Sequence, residues 1–271
     1  MDIDKRDIDK KRAQTFNQIA QLYNAARPSY PLDLIEDVIK LAQLSEPDQT
    51  TDQITGQILE IGAGTGKATL PFAQRGYRIH CLEPGDQMAV VAAENLRAYP
   101  NVTFEITTFE DWPLQTSTYS LVMSAQAFHW VDPEIGYRKA AQALKPGGSL
   151  ALIWNLADEA KSMLAQELDQ IYTAHGDWRL QPFEERQQQS VQALSESSYF
   201  LAPTVKQYAW SQHYTTQQYL DLVSTQSDYL IKPAEQQREL LAAISTVLDP
   251  HGGIVRPYVS LLLLAKTSPE P

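Results

Sequence analysis

Cysteine is almost missing from this chain. Cys81 is the only one in 271 residues, which excludes an intramolecular disulfide and any cysteine-built metal fold. It stands in the apolar run "YRIHCLE", where a buried and inert thiol is the expectation. Histidine is scarce as well, with five in all. No H-x-x-x-H or C-x-x-C pair occurs, so no metal site is expected. No apolar run reaches membrane-spanning length; the longest, "VSLLLLA" from Val259, has the length of a strand. Positive charge is in deficit, with a net charge of −11. A phosphate backbone would be repelled, so no nucleic-acid partner is expected. The densest basic run, "DKRDIDKKR", is interleaved with aspartates. The charged N-terminal segment does not read as a secretory signal, and a soluble, cytoplasmic protein without a membrane partner is expected.

Glycine is also sparing, 12 in the whole chain, yet Gly62, Gly64 and Gly66 fall within five positions of "ILEIGAGTGKATLPFA". Their surroundings alternate between two periods. Phe16, Ile19, Ala20 and Tyr23 predict a short amphipathic helix over 15–25. "RPSYP" breaks it, and Pro31 opens a second helix with Leu34, Ile35, Val38, Ile39 and Ala42 inward. "SEPDQTTDQITG" is a polar connector. "QILEIG", "YRIHCLEP", "VTFEITT", "YSLVMSA" and "SLALIW" read as strands, with "KPGG" as a turn before the last. Helices are expected over 65–75, over 86–98, and from Asp132, which caps with Pro133 at the first position, to Leu144. Farther on, a helix is expected over 157–175, a strand at "TVKQYAWSQHY", a threonine-capped helix at "TTQQYLDLVSTQ", a helix over 234–248 and a closing strand at "IVRPYVSLLLLAKT". Residues 177–200 are glutamine-rich and carry no clear period.

Alternating strands and helices predict an α/β fold: a doubly wound, mostly parallel sheet with an antiparallel C-terminal ending and a helical cap. The expected organisation is cap helices over 1–45 and a cofactor-binding core over 46–156. A helical insertion or lid follows over 157–203, and strands and helices over 204–271 complete the sheet.

A parallel strand, a glycine-rich turn and a helix start make a nucleotide-sized site at the carboxyl ends of the strands. On this reading the glycines clear space for a ligand against the main chain. The spacing is G-x-G-x-G, with Lys67 where a dinucleotide fingerprint places its third glycine, and no P-loop lysine-serine or lysine-threonine pair follows. The second strand ends in Glu83, whose carboxylate can accept from both hydroxyls of a ribose. A ribose without a phosphate fits there, and so does a nucleoside carrying an amino acid, S-adenosylmethionine.

The succession "LEIGAGTGKAT", "CLEPGDQM", "FEDWPL", "AFHWVDPE" and "ALKPGGSLALIW" resembles class I S-adenosylmethionine-dependent methyltransferases. It is most similar to the small-molecule branch called methyltransferase type 11, which includes enzymes like trans-aconitate methyltransferase. The resemblance implies S-adenosylmethionine as cofactor and a small-molecule methyl acceptor. It implies that Gly62, Ala63, Gly64 and Gly66 lie under the methionine part, with Glu60 orienting the loop. Glu83 would hold the ribose, with Pro84 and Met88 near the adenine. The family's usual adenine-binding aspartate before the Phe109–Glu110 pair is Thr108 here, so Glu110 or a main-chain carbonyl would have to serve. Ser124, Ala125 and Gln126 would meet the amino-acid end. Tyr23, Arg27, Tyr30, His129 and Trp130 would face the acceptor.

Other readings stand beside these. His129 is either a base or positioning group, or a hydrogen-bonded histidine packed on Trp130. Tyr23 lies on an apolar stripe and suits a core role. The alternatives for the whole chain are an NAD(P)-dependent oxidoreductase and a catalytically silent nucleotide-binding module.

Overall fold

The computed structural model describes residues 16–45, 57–158, 163–176 and 183–269. The basic N-terminal run and, beyond Ser45, the connector "SEPDQTTDQITG" lie outside the described residues.

Seven strands form one sheet: β1 (Ile58–Ile61), β2 (Ile79–Leu82), β3 (Val102–Glu105), β4 (Tyr119–Ala125), β5 (Leu144–Ala157), β6 (Thr204–Tyr214) and β7 (Ile254–Lys266). Their order is β3-β2-β1-β4-β5-β7-β6. The first five run parallel, and the C-terminal strands are antiparallel, as the sequence predicts. Residues of β1 and β4 such as Ile58, Leu59, Leu121, Val122 and Met123 are fully buried. That is the reason for continuous apolar runs in place of alternation: a parallel strand is covered on both faces. The order reverses between β1 and β4, which creates a crevice at their carboxyl ends.

The chain divides into two compact units. The larger holds Ser29–Asn155, Gln187–Tyr208 and the segment from Ser260. Its helices are α1 (Leu32–Leu41), α2 (Thr69–Ala73), α3 (Asp86–Asn95), α4 (Pro133–Ala143) and most of α5 (Phe183–Glu196). The apolar stripe of α1, Leu34, Ile35 and Val38, packs in one cluster with Phe72 and the buried residues of β1, β2 and β4. Asp132 accepts from the Glu134 amide at 3.0 Å and Pro133 opens α4, as expected.

The smaller unit holds the segment up to Pro28, Leu156–Arg186 and Ala209–Val259. Its complete helices are Ala20–Ala26, Met163–Ala174, Thr216–Ser224, Ser227–Leu230 and Ala234–Leu248. Thr215 and Gln218 form a reciprocal capping box at the third of these. Its core mixes leucines with tyrosines. Four of the buried hydroxyls pair with each other, Tyr172 with Tyr219 at 2.8 Å and Tyr214 with Tyr258 at 3.0 Å, so these phenols keep a hydrogen bond on burial. The segment expected as one insertion, 157–203, is shared between the two units.

Three expectations are corrected. The helix after the glycines covers Thr69–Ala73 only, because Gly66 sits at φ +80° and the chain is still turning. "KPGG" does not separate a helix from a strand; it lies inside β5 as a bulge. Tyr119 pairs with Leu144 and Leu121 with Ser149, so Lys145–Gly148 stand opposite Ser120 alone. β5 runs on to Ala157, and the helix expected from there is described over Met163–Ala174. The burial of Leu156 and Asn155 continues the strand pattern.

His80 on β2 has Nδ1 2.7 Å from the Tyr119 hydroxyl and Nε2 3.3 Å from Glu105. Burial holds its pKa below the ordinary 6.5, with Glu105 opposing. The unfolded chain therefore takes up this proton first. Stability from this site is complete above pH 6.5 and is lost as pH falls through the lowered folded value. In urea titrations from pH 7.5 downward, the native protein should lose more stability than His80→Gln; equal pH slopes would contradict the assignment.

Candidate active site

The glycine loop leaves β1 at the crevice. Gly62, Gly64 and Gly66 adopt φ of +68°, +58° and +80°, a left-handed conformation that side chains resist. A Cβ on Gly62 would come within 2.4 Å of the Ala127 Cβ, and one on Gly66 within 2.7 Å of Leu96. Both glycines are thus required by the protein's own packing. Only at Gly64 is there room, the nearest atom being the Met88 methyl at 3.6 Å. The expectation that all three clear space for a ligand is corrected to this one position.

Glu83 closes the loop from the tip of β2. One carboxylate oxygen accepts from the Gly64 amide at 2.8 Å and the other from the Gly85 amide at 2.9 Å. Its residue is 8% exposed. Burial raises its pKa, opposed by these two main-chain donors. Each oxygen has accepted one hydrogen bond and keeps a second lone pair, so two further donors can be received. Pro84 beside it is exposed and Met88 buried.

Glu60, on β1, is 1% exposed. It accepts from the Thr69 hydroxyl at 2.6 Å, and so ties the strand to the helix beyond the loop. Ala63 is buried, and its amide donates to the Leu82 carbonyl. Lys67 is half-buried, which depresses its pKa.

On the other side of the crevice, Ser124 is buried and donates to the Ile61 carbonyl at 2.8 Å. Its hydroxyl is spent on joining β4 to β1. Ala125 is half-buried. Gln126 takes φ +59° and donates to the Asn155 carbonyl at 2.8 Å. Thr108 exchanges hydrogen bonds with Asp111, and Phe109 is buried and stacked on Trp112. Glu110 accepts from the Asp132 amide at 2.9 Å. Its carboxylate thus anchors the start of α4 with one oxygen.

His129 lies on a short 3-10 turn, Phe128–Trp130, and is exposed, with its ring 4.7 Å from that of Trp130. The ring contact is the one expected; burial is not part of it. Tyr30 is half-buried against the larger core. Tyr23 and Arg27 belong to the smaller unit. There the Arg27 guanidinium lies over the Tyr23 ring and donates to the Thr225 hydroxyl at 2.8 Å and carbonyl at 2.7 Å. Arg27 is engaged by its own unit.

Asn155 escaped the sequence reading. It is 9% exposed, donates to the Ser29 carbonyl at 2.9 Å and accepts from Ser260. With Gln126 on its own carbonyl, it braces the carboxyl end of β4. An asparagine inside the apolar run "SLALIWNLA" was the available signal.

The sheet order and the glycine loop resemble those of Rossmann-like methyltransferases. Residues 58–148 match the family model described as a methyltransferase domain. An uncharacterized methyltransferase of Mycobacterium tuberculosis is 29% identical over 257 residues, 93% of this chain and 95% of its own. An uncharacterized methyltransferase-like protein of Schizosaccharomyces pombe is 34% identical over 151 residues, 54% of this chain and 53% of its own. A solved putative methyltransferase from an antibiotic biosynthesis pathway of Anabaena variabilis shares the fold with TM-score 0.60 at 16% identity, covering 88% of this chain and 98% of that one. The domain match and these relatives support an S-adenosylmethionine-dependent methyltransferase. The oxidoreductase and silent-module alternatives draw no support from these matches.

Among the described residues, no helix is long and apolar enough to cross a membrane, and no cluster of three metal-ligating side chains occurs.

Proposed function

We propose that the chain transfers the methyl group of S-adenosylmethionine to a small-molecule acceptor, with the cofactor lying across the glycine loop and Glu83. The observation that carries this reading is the Glu83 carboxylate. It is buried at the strand tip, fixed by amides on both sides, and has lone pairs left for two ribose hydroxyls. The space at Gly64 suits a ligand lying on the main chain.

Once bound, S-adenosylmethionine supplies an activated methyl on a sulfonium. What remains for the protein is alignment and exclusion of water, and orientation alone can lower such a barrier by about 7–11 kcal/mol. Met88 would support the cofactor beside Gly64. Gln126 and Ser124 would hold the end of β4 in place, acting through the main chain. His129 and Trp130, on the turn after β4, would face the acceptor. His129 would take up a proton only if the acceptor has one to lose, as a hydroxyl does and a carboxylate does not.

Thermal-shift screening tests the cofactor class. S-adenosylhomocysteine at 100 times its Kd should stabilise the protein by about 2.7 kcal/mol, while NAD and NADP leave the melting temperature unchanged. Stabilisation by NAD or NADP alone would contradict the reading.

A further inference from the structure

Glu60 is the one buried acid of the loop whose charge has nothing to balance it. Its first oxygen accepts from the Thr69 hydroxyl and, at longer range, the Cys81 thiol; its second is buried with no hydrogen-bond partner among the described residues. On β2, in register with it, stands Cys81, with Sγ 3.9 Å from the carboxylate. Two residues farther along that strand is Glu83, a second acid. β4 presents Met123 in register on the other side. The groups that act on its charge are Thr69, Glu83 and Cys81, and none is a cation. An ionised carboxylate there, with one hydroxyl and one weak thiol donor on a single oxygen, is far more costly than a neutral acid with one unpaired oxygen.

The two acids are therefore unequal. Glu83 receives two main-chain donors, which favour its ionised form. Glu60 receives one hydroxyl, and burial, with Glu83 adding in the same direction, pushes its pKa up to about 8. Burial raises the pKa of both acids, but Glu60, with fewer donors, is the one of the pair that favours its proton.

We propose that Glu60 keeps its proton in the ligand-free protein and releases it to solvent when the positive charge of S-adenosylmethionine reaches the glycine loop, so that cofactor binding is coupled to deprotonation. This rests on the cofactor assignment above. A cation arriving over the loop favours the ionised acid. By linkage, affinity then rises with pH, at most 10-fold per unit, up to about pH 8, and flattens beyond it. S-adenosylhomocysteine has lost the sulfonium charge and should show a smaller effect. The preference for methyl donor over spent product would therefore grow as pH rises.

The test is calorimetric titration with S-adenosylmethionine at pH 7 in two buffers of different ionisation heat. The native protein should release close to one proton more than Glu60→Gln, in which the amide oxygen can still accept from Thr69. The excess should be smaller with S-adenosylhomocysteine and absent by about pH 10. An equal release in the variant would assign the proton to the ligand's amino group or another residue and overturn the proposal. Should the variant fail to fold, infrared difference spectra of the native protein decide. Loss of a protonated-carboxyl band on binding supports the coupling, and an unchanged band refutes it. Binding without any buffer dependence refutes the coupling alone; no saturable heat at all overturns the cofactor reading and this inference with it.

Discussion

Glu83→Ala should weaken binding of S-adenosylhomocysteine roughly 10- to 150-fold, corresponding to the about 1.5–3 kcal/mol of a hydrogen bond to a charged group. Two losses combine. The ribose loses its acceptor, and the Gly64 and Gly85 amides lose the carboxylate that fixes them. Glu83→Gln keeps half of this arrangement: its single amide oxygen can accept from one main-chain donor and one ribose hydroxyl, and its amide nitrogen from neither. Its affinity should therefore fall between those of the native protein and Glu83→Ala. Isothermal titration on all three decides, and unchanged affinity in Glu83→Ala would remove the ribose role.

Gly62→Ala should destabilise the larger unit by about 2–5 kcal/mol, before any ligand is considered. A left-handed φ costs an alanine about 1–2 kcal/mol, and the collision with Ala127 adds about 1–3 kcal/mol of overpacking. Gly147→Ala is the internal control. Its φ is also positive, at +76°, but no atom lies within 4 Å of the added methyl. It should show only the conformational part. Equal denaturant midpoints for the two variants would mean that Ala127 yields freely and that Gly62 is needed for its φ alone.

Much of this was readable in the sequence. β4, β6 and the helix Ala234–Leu248 fall where the periodicity places them, because each is long, strongly patterned and bounded by Asp, Thr or Pro. The glycine loop and Glu83 were legible for the same reason: a bare main chain and an acid at a strand end are local signals. What was hidden depends on partners distant in the chain. Nothing near Gly62 announces Ala127, sixty-five residues on. Ser124 shows no sign of its bond to Ile61, nor Glu110 of the Asp132 amide. The bulge at Lys145–Gly148 looks like a turn locally, and only pairing with β4 makes it part of a strand.

A crystal structure with S-adenosylhomocysteine decides whether Glu83 holds the ribose. Both ribose hydroxyls should lie within about 3 Å of the Glu83 carboxylate, with the amino-acid end along Gly62–Gly66. A crevice left empty at saturating ligand, or a bound sugar that Glu83 does not touch, would contradict that role.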